Sequence, residues 1–129
     1  MYLSPFPVQT GEDEANRIAP DGTTHGMIGK GANNVVGGDA DALTHCIAAC
    51  TLASAPYPCW GPDQAYDILQ SRETAKNIDT QLDFLNNESG MGIGMSLKPG
   101  QDCSAACLAA LKKGILNEID PTGKIVKSS

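Results

Sequence analysis

Four of the five cysteines fall in two pairs of identical spacing, Cys46 with Cys50 and Cys103 with Cys107. Residues four apart on a helix point the same way, so each pair presents one edge of a helix. If two such helices pack side by side, an antiparallel arrangement joins Cys46 to Cys107 and Cys50 to Cys103. Each bridge would close a loop of more than fifty residues and contribute roughly 2–4 kcal/mol. Two other readings stay open. A four-thiolate zinc site normally takes tighter C-x2-C spacings, and free cysteine often serves as a small buried apolar residue. Disulfides are the expectation taken forward. They persist in oxidising compartments, which would place the working domain outside the cytosol. Cys59, between Pro58 and Trp60, is expected to be the unpaired thiol.

The rest of the chain reads as one small domain. At 129 residues it has the length of a single folding unit. Residues 1–21, with Pro5, Pro7, Gly11 and Pro20, read as a tether or flexible arm, and residues 22–129 as the domain proper. Gly22 to Asp39 is a glycine-rich loop. Gly29, Gly31, Gly37 and Gly38 would allow close backbone approach to a ligand, so they are candidates for a substrate loop as well as for a plain connector. Asp39 is a good N-cap for a helix over Ala40–Ala53, whose Leu43, Cys46, Ile47 and Cys50 recur at helical spacing. Pro62 would start a second helix running to Asn77. A third, shorter helix covers Thr80–Asn87. Met91-Gly-Ile-Gly-Met95 is too glycine-rich for a stable helix and is expected as a turn or short strand. Asp102 caps a last helix, Cys103–Lys113, which Gly114 ends. A short C-terminal hairpin follows around Asp120-Pro-Thr-Gly123. The expected fold is therefore mostly α, about four helices with glycine-rich loops and helix-to-helix disulfides.

Charge narrows the function. The formal net charge is −6 with only nine basic residues, which disfavours nucleic acid as a partner, because that affinity comes largely from Lys and Arg on phosphate. An acidic surface suits a basic protein partner. No apolar run approaches the ~20 residues of a membrane-spanning helix. No basic-then-apolar signal peptide opens the chain, so export is expected to depend on a larger carrier protein.

The candidate chemistry centres on His45. On the helical wheel it lies at the rim of the apolar face, where a histidine can line a cleft and titrate near neutral pH. A half-exposed helix histidine with no function has the same pattern. Asp41, one turn back, can orient the ring. Asp83 and Asn87 share a second helix face and Asn86 lies beside them; two amides and a carboxylate can orient a water or an oxyanion. Asn and Gly at that position also serve simply to cap a helix. Glu73 is a further candidate acid. No metal or cofactor is expected.

The order GDADALTHCIAAC, then DFLNNESG, then CSAACLAALKKGIL resembles the C-terminal toxin domains of bacterial polymorphic toxins, carried by Rhs, contact-dependent and type VI secretion effectors. It is similar in particular to the group with a His, Asp/Asn and Cys signature. The resemblance spans about Gly29 to Leu116. It points to His45, Asp83, Asn86, Asn87 and the four paired cysteines, and it implies a cognate immunity protein. It supplies no reaction.

Chemistry suggests three classes. One is an envelope hydrolase, directed at lipid or peptidoglycan, with His45 as general base. Secreted phospholipases A2 share a glycine-rich loop, a helical histidine and disulfides between antiparallel helices, but here Cys46 stands where their aspartate follows the histidine. A thiol hydrolase would need Cys46 or Cys59 as nucleophile, yet neighbours on a helix diverge by about 100°. The second class is a membrane-disrupting, pore-forming toxin without catalysis. The third is a pure interaction module. The expectation is a secreted hydrolase delivered to the periplasm or envelope of a competing bacterium.

Overall fold

The computed structural model describes residues 11, 13–15, 17–18, 38–54, 78–120 and 122–128. The expected second helix at Pro62–Asn77, with Glu73 and Cys59, lies outside them, as do Gly29, Gly31 and Gly37. Among the described residues the main elements are, in order, α1 (Asp39–Ser54), α2 (Ile78–Ser96), α3 (Cys103–Lys112), β1 (Asn117–Ile119) and β2 (Ile125–Lys127). The fold is mostly helical, as expected.

Helix α1 is the axis of the structure. Nine of its residues are buried, among them Leu43, Cys46, Ile47, Cys50 and Leu52. A helix buried on so many sides must be covered by neighbours on several faces. Its two mid-helix threonines stay satisfied by donating back one turn, Thr44 to the Ala40 carbonyl at 2.8 Å and Thr51 to the Ile47 carbonyl at 2.7 Å, a standard way to carry a hydroxyl in a helix.

Helix α3 lies antiparallel to α1 and is bridged to it twice, Cys46–Cys107 and Cys50–Cys103. The Cα atoms stand 6.0 and 5.7 Å apart, within the ordinary range for a bridge. Asp102 caps α3, accepting from the Ala105 amide at 2.7 Å. Its other end closes on a Schellman turn: Gly114 takes φ 76°, while the Ile115 and Gly114 amides donate to Ala110 and Leu111 carbonyls.

The main departure from expectation is α2. It continues through Gly90, Gly92 and Gly94 to Ser96, where a turn or short strand was expected after Asn87. Packing overrides propensity here. A Cβ added at Gly90 would sit 2.3 Å from the Cys46 carbonyl oxygen, and one at Gly94 2.5 Å from that of Cys50. These glycines let two helix backbones touch. Because Gly90 meets Cys46 and Gly94 meets Cys50, α2 runs parallel to α1. Gly92 points away, with nothing within 4 Å of an added Cβ.

The stretch expected as a tether is also partly ordered. Within residues 11–18 the described positions are helical. Ala15 is fully buried in the core and Ile18 packs against it. Gly11 makes this possible by close approach to α1: an added Cβ would lie 2.5 Å from the Thr44 carbonyl oxygen. Glu14 accepts from the Ser104 hydroxyl at 2.8 Å and pairs with Arg17. These contacts, the Arg17 hydrogen bond first, hold its carboxyl below the ordinary value.

The C-terminal hairpin pairs Asn117 with Lys127, Glu118 with Val126 and Ile119 with Ile125. Asp120 organises its turn by accepting from the Thr122 hydroxyl and the Thr122 and Lys124 amides, and the Thr122 hydroxyl first, then those amides, lower its pKa. Ser128 ties the tail down through the Leu111 and Leu116 carbonyls.

Two experiments check this packing. With four of five cysteines bridged, thiol labelling of the native chain should add one label, and labelling after reduction five; three labels before reduction would break the pairing. Gly90→Ala or Gly94→Ala should destabilise by about 1–3 kcal/mol through overpacking. Gly92→Ala should stabilise by up to about 1 kcal/mol, from helix propensity alone. Urea melts of the three variants read the opposite signs directly.

Candidate functional site

The site grows from two i,i+4 pairs. Asp41 and His45 lie one turn apart on α1, and Asp83 and Asn87 one turn apart on α2. Parallel helices keep the two pairs in the same order, so they face one another. Asp83, Asn87, Gly90 and Gly94 form a single stripe of α2 against α1. The glycines supply its close-packed end and the polar pair the other. The close approach that the glycines permit also explains why short side chains suffice to span the gap.

His45 is clasped from both sides. Its Nδ1 lies 3.0 Å from Asn87 Oδ1. Its Nε2 lies 3.0 Å from Asp83 Oδ1 and 3.7 Å from Asp41 Oδ1. The two ends differ in exposure. Asn87 is fully buried, whereas the side chains of His45, Asp41 and Asp83 keep 20%, 16% and 17% of their surface. Asn87 thus anchors the ring from inside, and Nε2 and the two carboxylates form the accessible end. Orientation of one imidazole nitrogen by a fixed acceptor is the usual way to define the role of the other.

This arrangement has an electrostatic consequence. With Asn87 accepting through Oδ1, Nδ1 bears the hydrogen. The Nε2 position then faces two carboxylates. A proton gained at Nε2, or a cation beside it, would be stabilised by both carboxylates. Asp41, His45 and Asp83 can each offer one ligand atom, all within 4.8 Å of one another.

Asn86 does not join this group. One residue along α2 turns its side chain about 100° away. Its Oδ1 accepts from the Asn117 amide at 2.8 Å and its Nδ2 donates to the Asn117 carbonyl at 3.0 Å. The expected catalytic amide is instead a buried clamp that holds β1 onto α2, because a single carboxamide offers both a donor and an acceptor to a peptide unit. Of the expected loop glycines, Gly38 is described; it is buried, and its carbonyl accepts from Ala42 in the first turn of α1 at 3.0 Å. The four paired cysteines are structural. Sequence reading gave Asp41 only an orienting role; its membership in a three-ligand cluster follows from α2 lying parallel to α1. The signal was present in the G-x3-G spacing of Gly90 and Gly94.

A concavity opens at the far end of the helices, between Ala53, Ser54, Met95, Leu97 and Gln101. His45 lies nine residues from Ser54 along α1, about 13 Å at 1.5 Å per residue, so this groove is separate from the histidine cluster.

The chain matches no family model, no curated protein and no solved structure. The chemistry of the cluster is therefore argued from its own geometry.

Asn86→Ala should behave as a stability variant. It strips partners from a buried amide and a buried carbonyl, each worth about 1–3 kcal/mol when left unmade. The urea midpoint should fall accordingly, while the His45 ring resonances keep their native shifts. A full-stability Asn86→Ala protein with perturbed His45 signals would reverse this assignment.

Proposed function

We propose that this domain is an antibacterial effector toxin that acts on the envelope of a competing bacterium as a hydrolase. His45 serves as general base, and Asp83 and Asn87 orient it. The observation that carries this reading is the two-sided clasp, with both ring nitrogens at 3.0 Å from fixed partners and the ring still partly open to solvent. Asn87 holds the ring from inside. A water at the accessible edge would give its proton to Nε2, and the ring so charged would donate to Asp83 at the contact distance seen here.

Location supports the same reading. Two helix-to-helix disulfides suit an oxidising compartment, extracellular or periplasmic. Among the described residues no helix is long and apolar enough to cross a membrane. The net charge of −6 suits a basic immunity protein that neutralises the domain, and a larger secretion carrier would deliver it. The substrate is an envelope component, lipid or peptidoglycan.

The test compares His45→Ala with the parent chain, each exported to the periplasm of a sensitive bacterium. Activity should fall by roughly 10²–10⁴-fold, as expected for loss of a general base. Stability should fall far less, on the order of 1 kcal/mol for the lost hydrogen bonds. Lipid headgroup, fatty-acid and muropeptide analysis of the intoxicated cells would show which bond is cut. Undiminished killing by a natively folded His45→Ala protein would refute catalysis. Leakage without any cleaved product would favour the pore-forming alternative.

A further inference from the structure

The geometry points to a divalent metal site at His45 Nε2, Asp41 and Asp83. It deepens the hydrolase reading above and rests on it only for function, because the binding itself is measured separately. It also revises the expectation of a metal-free site and changes His45 from base to ligand.

Three observations converge. First, the donor set is one imidazole and two carboxylates, the mixed nitrogen and oxygen chemistry that suits zinc, manganese or iron better than calcium or magnesium. Second, the spacing fits. With metal–ligand bonds of about 2.0–2.1 Å, adjacent ligand atoms stand about 3.0 Å apart in an octahedron and about 3.4 Å apart in a tetrahedron. The Nε2 separations from the two carboxylates are 3.0 and 3.7 Å, which brackets both, and all three atoms lie within 4.8 Å. Third, the ring is set up as a metal-ligating histidine. Such a histidine donates its other N–H to a fixed oxygen acceptor, which orients the ring and raises its basicity. Asn87 Oδ1, on a fully buried side chain, supplies that acceptor at 3.0 Å. The two carboxylates beside Nε2 would also stabilise the charge of a cation bound there.

Three protein ligands leave room in the coordination shell for water. Catalytic zinc sites share this three-ligand, one-water plan, and the metal makes that water acidic. Asp41, His45 and Asp83 are all partly exposed, so the vacant positions would face solvent. Asn87 is a positioning residue here, since it acts through the imidazole.

The experiment uses the full oxidised chain, stripped with a chelator and dialysed against zinc, manganese, calcium and magnesium in turn. Zinc or manganese should bind at one equivalent per chain. Asp41→Asn and Asp83→Asn should each weaken binding at least tenfold. Asn87→Ala should weaken it about 10–100-fold, the usual effect of losing an orienting partner, and Asn87→Asp, which keeps an acceptor, should restore most of it. Glu88→Gln, exposed on the same helix, should change nothing. In nitrogen-detected spectra, metal should shift the Nε2 resonance and leave Nδ1–H in place. No binding, or binding insensitive to Asp41→Asn and Asp83→Asn, overturns the site. If no metal binds, while the chain still kills and His45→Ala does not, the metal site is refuted and the general base stands. If metal binds as described but no variant alters killing, the site survives and the hydrolase reading fails.

Discussion

Backbone contact between α1 and α2 is the constraint on which the rest depends. Two glycines one turn apart remove the Cβ atoms that would otherwise strike the Cys46 and Cys50 carbonyls. The same two residues of α1 carry the sulfurs that bind α3. One turn of α1 is thus held on one side by contact too close for any side chain and on the other by covalent bonds. Glycine costs about 1 kcal/mol per residue in a helix interior relative to alanine. That cost is offset by dispersion along a dry helix seam, where atoms reach full contact density.

The polar cluster is the continuation of that seam. Moving toward the N-terminal ends of α1 and α2, the stripe changes from glycine to asparagine to aspartate on α2 and from cysteine to histidine to aspartate on α1. The helices stay close enough for Asp83 and Asn87 to reach His45. Glutamate at position 83 would be a carbon too long for the same axis separation. Site geometry and core packing are therefore one property, and a shift of one helix along the other would alter both the Asn87 and the Asp83 contact at His45. Catalytic and metal-binding groups need that kind of rigid support.

Much of this was legible in the residues, and the failures have physical causes. The matched C-x3-C edges make bridging between α1 and α3 legible, because side-chain direction on a helix is fixed; which cysteine joins which follows from the antiparallel packing. Asp102, Gly114 and the hairpin were legible because capping and turn chemistry are local. The length of α2 was not, since propensity counts each glycine as a cost and takes no account of the neighbouring helix. A helix that stops at Asn87 hides the parallel seam with α1, and with it the meeting of Asp83 with Asp41 and His45. Asn86 and Asn87 were indistinguishable by type. Only the position of β1 shows that Asn86 spans a peptide unit while Asn87 holds an imidazole. Over residues 1–21, Pro, Gly and acidic composition suggest an arm, but Gly11 lies against Thr44 and Ala15 is buried.

The disulfides and the site belong to different helix pairs, and this separates their roles. The bridges join α1 to α3, while His45, Asp41, Asp83 and Asn87 lie on α1 and α2. No bridge touches the cluster, so reduction does not alter its chemistry directly. In the chain-entropy account a bridge acts mainly on the unfolded state, by limiting the chain it can explore. The two bridges are nested, so once Cys50–Cys103 is closed, Cys46–Cys107 adds only a short ring made of one turn from each helix. The inner bridge therefore constrains most of the intervening chain, and the outer one fixes the register of α3. A reducing compartment would lower the folded population and leave the intrinsic activity of each folded molecule unchanged. Under the proposed function, dependence of killing on compartment would be a measure of folding, whereas dependence on His45 or on metal would be a measure of chemistry. The two are separable in one protein because α1 carries both on different faces.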